Sequence, residues 1–317
     1  MKKNRRIRKL ALIGVAVVIF LIVGASIPSY FTAANLLNVT RQSAPIALCA
    51  LGMGVVLITK QMDLSTGGIM AFSAMVSGFM MNSGIPVSLS WLAGAAVGTL
   101  MGVLNGILLA KIEIPSFIAT FVTGQIGTGV ALIICEGRSL SSLPDLNKVV
   151  GNQTLGPVPY LTIIMLVYLA LTSLVMRRTK LGKHFYALGG NELTLKYEGV
   201  DVDVVKVAAF AISGFCASSA GIFLSSMMNT VHPTQGSNYQ LDAVAACAIG
   251  GISMLGGKGK PWMAVLGALI IGLLRNGLTL YGMHPWFQNL AIGTIIIVVV
   301  GVSVFNRNRE IELARIF

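Results

Sequence analysis

"VSLSWLAGAAVGTLMGVLNGILLA" occupies residues 87–110 and contains no charged side chain. Coiled into a helix rising about 1.5 Å per residue, a run of this length crosses a hydrocarbon core about 30 Å thick. A helix also satisfies its own N–H and C=O groups, as backbone inside a bilayer must. Gly94, Gly98, Gly102 and Gly106 recur at four-residue spacing, a ridge that lets a neighbouring backbone approach closely in lipid. The stretch reads as a transmembrane helix.

The rest of the chain agrees with it. Of 317 residues, 55% are hydrophobic and only 11% charged, and the mean hydropathy is +0.81. Soluble domains carry about 25% charged residues, so this chain lacks the polar groups to cover a soluble surface. The expected fold class is an all-α integral membrane protein with about ten transmembrane helices. The candidate segments are 10–27, 44–60, 66–82, 87–110, 114–135, 157–176, 206–228, 239–256, 260–281 and 284–305. Segments 66–82 and 239–256 are short and rich in small residues, so whether they fully span stays open. The first follows the basic MKKNRRIRK without a good small-x-small cleavage site, and reads as an uncleaved helix. Cys49, Cys135, Cys216 and Cys247 each lie in apolar sequence without ligand spacing, and read as small core residues.

Charge then orients the chain. With the N-terminus inside and ten crossings, 19 Lys and Arg fall on the inner side and three (Arg41, Arg138, Lys148) on the outer side. This asymmetry follows the positive-inside rule, places both termini in the cytoplasm, and accounts for the net charge of +12 without nucleic acid. The expected organisation is one transmembrane domain over 1–317, with a basic cytoplasmic N-terminus (1–9), a cytoplasmic loop (177–206) and a cytoplasmic tail (306–317). The largest outer loop is 136–159. Residues 102–117 faintly echo 272–287, and 59–67 echo 249–257; duplicated halves are common in transporters, and chance similarity among Gly- and Leu-rich helices accounts for the echoes equally well.

Catalytic motifs do not assemble. "GGISMLGGKGKP" (250–261) has one residue too many for a phosphate-binding loop and lacks the hydroxyl after Lys; it reads as a tight cytoplasmic turn. His184, His232 and His284 are scattered and supply no triad or zinc set. Asp63, in "QMDLSTGG", and Asp242, in "YQLDAVAAC", each stand where a helix begins; both read as N-caps, with a transport role as the alternative. Arg275 lies inside the ninth segment, either snorkelling to the outer interface or facing a polar interior beside Asn276. Asn105, Gln125 and Asn276 either line a pathway or join helices by hydrogen bonds.

The exception to the apolar pattern is "TKLGKHFYALGGNELTLKYEGVDVDVVK", residues 179–206. Within it, Asn191 caps a short helix, Glu192 sits in its first turn and Gly199 stops it. Leu193, Tyr197 and Val200 give that helix one apolar edge. About two turns do not persist alone, so the edge packs against the span ends or docks in a partner's groove.

These segments, in order, resemble the permease subunits of bacterial ABC importers of the ribose/xylose/galactose type. The resemblance rests on "NLLNVTRQSAPIALCALGMGVVLI" (35–58), "MDLSTGG" (62–68), "GVLNGILLAKIEIPSFIATFVTG" (102–124), "GRSLSSLP" (137–144), the polar loop, "PTQGSNYQLDAVAACAIGGISMLGGKG" (233–259) and "LRNGLTLYG" (274–282). It implies a non-catalytic subunit in the bacterial inner membrane, paired with a second copy or a sister permease. It further implies a cytoplasmic ABC ATPase that holds the ATP and magnesium, and an extracytoplasmic binding protein that delivers the solute. No cofactor is expected in this chain. The family's coupling helix would fall on Asn191, Glu192, Leu193, Tyr197, Glu198 and Gly199. Candidate pathway or gating residues are Asp63, Asn105, Gln125, Asp242, Arg275 and Asn276. Two departures stand out: Lys60-Gln61 replaces the family's usual Gly-Gly, and Gln240 replaces its usual acid. The alternative, an ion-coupled secondary transporter of a small polar solute, would need a carboxylate or histidine at mid-membrane.

Overall fold

In the computed structural model, residues 30–294, 297 and 301 are described. Segment 10–27, both terminal stretches and part of segment 284–305 lie outside them. The described residues fold as eleven helices, with residues 285–294 helical as well. Helices α1 (Ala33–Ile58), α2 (Thr66–Asn82), α3 (Val87–Lys111) and α4 (Ser116–Ile134) are followed by a short α5 (Asp145–Asn152). Then come α6 (Tyr160–Arg178), α7 (Lys180–Gly190), α8 (Glu192–Tyr197), α9 (Val202–Met228), α10 (Tyr239–Gly250) and α11 (Pro261–Leu280).

Six of these, α1, α3, α4, α6, α9 and α11, are long and apolar enough to cross a membrane. The 17-residue α2 keeps the bounds expected from sequence. Segment 239–256 does not: α10 ends after 12 residues, where Gly251 turns left-handed at φ 94°. At about 1.5 Å per residue it is too short to cross alone. The second segment also differs from expectation. Its helix starts at Ala33 rather than 44 and runs through Pro45.

The chain forms two compact units, one of residues 1–39 with 269–317 and one of residues 40–268. In the first, Asn35 and Asn276 exchange a reciprocal amide pair at 2.8 and 3.0 Å, and the Tyr30 hydroxyl donates to the Leu273 carbonyl. In the second, residues 43–58 of α1 are continuously buried. Gly52 lies against Ser213, Gly54 against Ile252, and the Cys247 thiol donates to the Ala50 carbonyl. All four cysteines are buried and free, as their apolar settings suggest.

The glycine ridge of α3 does what its spacing anticipates. A methyl group on Gly102 would overlap the Phe210 carbonyl, one on Gly98 would meet Ser218, and one on Gly106 would meet Val207. Gly214 of α9 returns the fit against the Gly98 carbonyl. The opposite faces of α3, α4 and α6 expose Leu92, Leu100, Phe121, Ile126, Leu171 and Leu174, an apolar surface suited to lipid.

Loop 136–159 holds structure that its sequence does not advertise. Strands β1 (Leu140–Ser141) and β4 (Thr230–Val231) pair antiparallel, as do β2 (Thr154–Leu155) and β3 (Val158–Pro159). Helix α5 packs on the end of α9: Gly151 touches the Ser226 backbone, and the Asn152 amide donates to the Ser226 and Met227 carbonyls. Those carbonyls close a helix end and need such partners.

Candidate functional site

Two places concentrate the polar residues of the larger unit. The first is a buried node around Asp63. Its carboxylate accepts the backbone N–H and the hydroxyl of Ser65, and across 2.6 Å the hydroxyl of Ser213 on α9. The Asn105 amide on α3 donates to Ser65 Oγ at 2.8 Å, and its carbonyl accepts from Thr123 on α4. Asp63, Ser65 and Asn105 are fully buried. Each polar group is thus matched, as low-dielectric surroundings demand.

This corrects the capping assignment. Ser65, not Asp63, occupies the N-cap of α2. Asp63 instead closes an Asx-type turn two residues long and reaches sideways to α9. Residues 62–64 hang on α4 as well: the Met62 and Leu64 amides donate to Ser116 Oγ (3.2 Å) and Thr120 Oγ1 (2.9 Å). Gly68 and Gly124 bring α2 and α4 into backbone contact beside them. Asp242 is likewise no cap; it lies inside the first turn of α10, buried, with Asn238 at the cap position.

The other sequence candidates separate. Asn105 joins the node, and Asn276 is buried in its pair with Asn35. Gln125 lies exposed on α4, away from Asn105, and Arg275 is half-buried on α11. Ser65, Thr123 and Ser213 were not singled out from sequence.

The second place is the polar stretch, which is helical rather than a loop. Three side chains start three helices in succession. Thr179 accepts the Gly182 amide, Asn191 the Thr194 amide, and Asp201 those of Asp203 and Val204. Gly199 takes φ 79° after α8, and the Val200 amide returns to the Leu195 carbonyl, the close expected where a helix stops. Glu192 pairs with Lys206 at 2.6 Å, tying α8 to α9, and Lys111 pairs with Asp203 at 2.7 Å, tying the end of α3 to the start of α9.

The apolar edge of α8 divides. Leu195, which the sequence reading passed over, is the buried anchor. Leu193 is 64% exposed and Tyr197 88% exposed, with Glu198 exposed beside them. Next to α8 opens a cleft of about 460 Å³ lined by Gln61, Glu113, Ser116, Lys196 and Lys206 among others. Helix α8 therefore presents two large apolar side chains outward, beside a charged cleft.

Residues 35–300 match the family described as "Branched-chain amino acid transport system / permease component". The chain belongs to this permease family.

Its relatives cover nearly its full length. The permease is 34% identical over 288 residues to the ribose import permease protein of Haemophilus influenzae, covering 90% of this chain and 89% of that one. It is 33% identical to the ribose import permease protein of Escherichia coli K12, with 89% of each chain covered. It is 32% identical to the D-allose transport system permease protein of the same strain, covering 90% and 88%. No solved structure matches. The permease is a multi-pass membrane subunit, and its family is non-catalytic. The three residues noted in the sequence as departing from the family's usual pattern are placed as follows. Lys60 holds a left-handed φ of 65°, Gln61 lines the cleft, and Gln240 donates to the Ser237 carbonyl.

Proposed function

We propose that the permease carries a small sugar into the cell as the membrane pathway of an ATP-driven importer. Ribose is the first candidate, because relatives named as ribose permeases match over nine-tenths of the chain. In this reading the chain has ten membrane segments within a single domain over 1–317, both termini cytoplasmic. Residues 1–9 and 306–317 are its cytoplasmic ends, and 177–206 its cytoplasmic coupling region. Two such subunits, identical or sisters, form the pathway. A separate cytoplasmic ABC ATPase holds ATP and magnesium, and an extracytoplasmic binding protein delivers the sugar.

The observation that carries the coupling assignment is the exposure of Leu193 and Tyr197 on a helix anchored by Leu195. A helix that turns its larger side chains outward next to a cleft offers a surface to a grooved partner. Asn191 and Gly199 fix where α8 starts and ends, and Glu192 and Glu198 provide charge at its two ends. ATP-driven movement of the ATPases displaces α8, and the attached helices switch the pathway from inward- to outward-open. The Asp63–Asn105 node is the fixed wall of that pathway; Asp242, Arg275 and Asn276 are further candidates along it. Gln125, exposed on α4, is suited to meeting lipid or a second subunit.

The test is recovery of the tagged chain from native membranes in gentle detergent, with mass spectrometry of its companions, followed by uptake of labelled D-ribose into vesicles. Recovery of an ABC ATPase that is lost when 191–199 is scrambled in an inserted protein supports the reading. Recovery of the chain alone, with uptake driven by an ion gradient, overturns it.

A further inference from the structure

One carbonyl on the inner side gathers three chain segments. Ile58 ends α1, and its carbonyl has no partner available further along that helix. It accepts the Gly257 amide at 2.8 Å, from the loop between α10 and α11. Gly189, near the end of α7, packs on the same oxygen so closely that a methyl group there would overlap it, and would lie 2.6 Å from the Gly257 nitrogen. Gly256 adds to the contact, lying against the Gly189 backbone and Lys60. Nearby, the Tyr186 hydroxyl on α7 donates to the Gly259 carbonyl at 2.8 Å. Burial raises that phenol above its ordinary range, so it stays a neutral donor.

We infer that this junction of Gly189, Ile58 and Gly257 is the pivot through which movement of α8 reaches α1, α10 and α11. The inference rests on the coupling reading above and goes beyond it, to a route inside the chain. Only Asn191 separates α7 from α8, so a push on Leu193 and Tyr197 is delivered to the end of α7 with little slack. Backbone resting on backbone leaves no rotatable side chain to absorb the displacement, and packed interiors transmit strain. The Glu192–Lys206 pair ties α8 to α9 through two long side chains, the carboxylate half-exposed, and their rotatable bonds take up displacement that backbone contact cannot. Gly190 supplies an internal control: it adjoins Gly189, yet a methyl group there would meet nothing.

The experiment uses the permease copurified with its ATPase. Hydrogen exchange of peptides covering 251–260 and the end of α1 is compared with and without a non-hydrolysable ATP analogue. Wild type and Gly190→Ala are expected to show a nucleotide-dependent change, and Gly189→Ala to retain the ATPase but lose about threefold of that change. Tyr186→Phe adds no bulk and is expected to weaken the change in the same direction, which covers a Gly189 variant that does not insert. An undiminished change in both Gly189→Ala and Tyr186→Phe overturns the inference, as does loss of ATPase binding in Gly189→Ala. A wild-type change confined to α8 overturns it too. Absence of any ATPase in the wild-type preparation defeats the coupling reading itself.

Discussion

Asp63 and Ser213 stand 150 residues apart in sequence and 2.6 Å apart in space, the carboxylate accepting the hydroxyl. That bond joins the turn before α2 to the middle of α9. Replacing Asp63 by Ala strands the Ser65 and Ser213 donors in a buried site, at about 1–3 kcal/mol for each group left unsatisfied. Asp63→Ala should therefore lower the thermal midpoint of the purified permease more than Ser213→Ala, and Asp63→Asn should fall between the parent and Asp63→Ala. Midpoints for all three indistinguishable from Lys148→Ala, which removes only a partly exposed ion pair with Asp145, would refute the node's structural weight.

The seam between α3 and α9 separates two kinds of glycine. At Gly102 an added methyl overlaps the Phe210 carbonyl, whereas at Gly129 it meets nothing. Gly102→Ala should cost about 1–3 kcal/mol through forced backbone shifts. Gly129→Ala, in the interior of α4, should be neutral or gain up to about 1 kcal/mol from helix propensity. Fluorescence-detected thermal unfolding in detergent orders the two.

Lys60 sits at φ 65°, a conformation that costs a side-chain-bearing residue about 1–2 kcal/mol. Lys60→Gly should raise the unfolding midpoint, less the extra chain entropy of glycine. An unchanged or lower midpoint would mean that the Lys60 stem contributes packing that offsets the strain.

On α8, anchor and outward residues should respond differently. Leu195→Ala empties a buried site and should lower stability by about 2–5 kcal/mol. Leu193→Ala and Tyr197→Ala should leave stability within about 0.5 kcal/mol. They should weaken ATPase recovery about tenfold or more if these residues dominate the contact. Equal recovery from wild type and the Leu193→Ala/Tyr197→Ala double variant would move the docking surface elsewhere.

The residues differ in how openly their sequence announces them. The charge-free run at 87–110 and the small-residue helix at 66–82 are set by bilayer thickness and local periodicity, so their bounds are nearly those observed. Residues 33–43 are helical although Asn35, Asn38, Arg41 and Gln42 interrupt the apolar pattern and Pro45 resembles a start. Helix α7 was concealed by Gly182, Gly189 and Gly190, which look like breakers; buried Phe185 and Leu188 show the face that makes it a helix. The polar node was least legible. Ser65, Thr123 and Ser213 are ordinary hydroxyls in helical sequence, where such groups usually bond to their own backbone, and only packing brings them to Asp63 and Asn105.

Backbone contact along the α3–α9 seam, from Val207 beside Gly106 to Ser218 beside Gly98, has a consequence for permeation. Two rods that touch at this distance leave no gap for a hydrated solute, and prying them apart would break the fit at every glycine together. The pair is therefore closed to solute along its length, and the proposed pathway runs along another face.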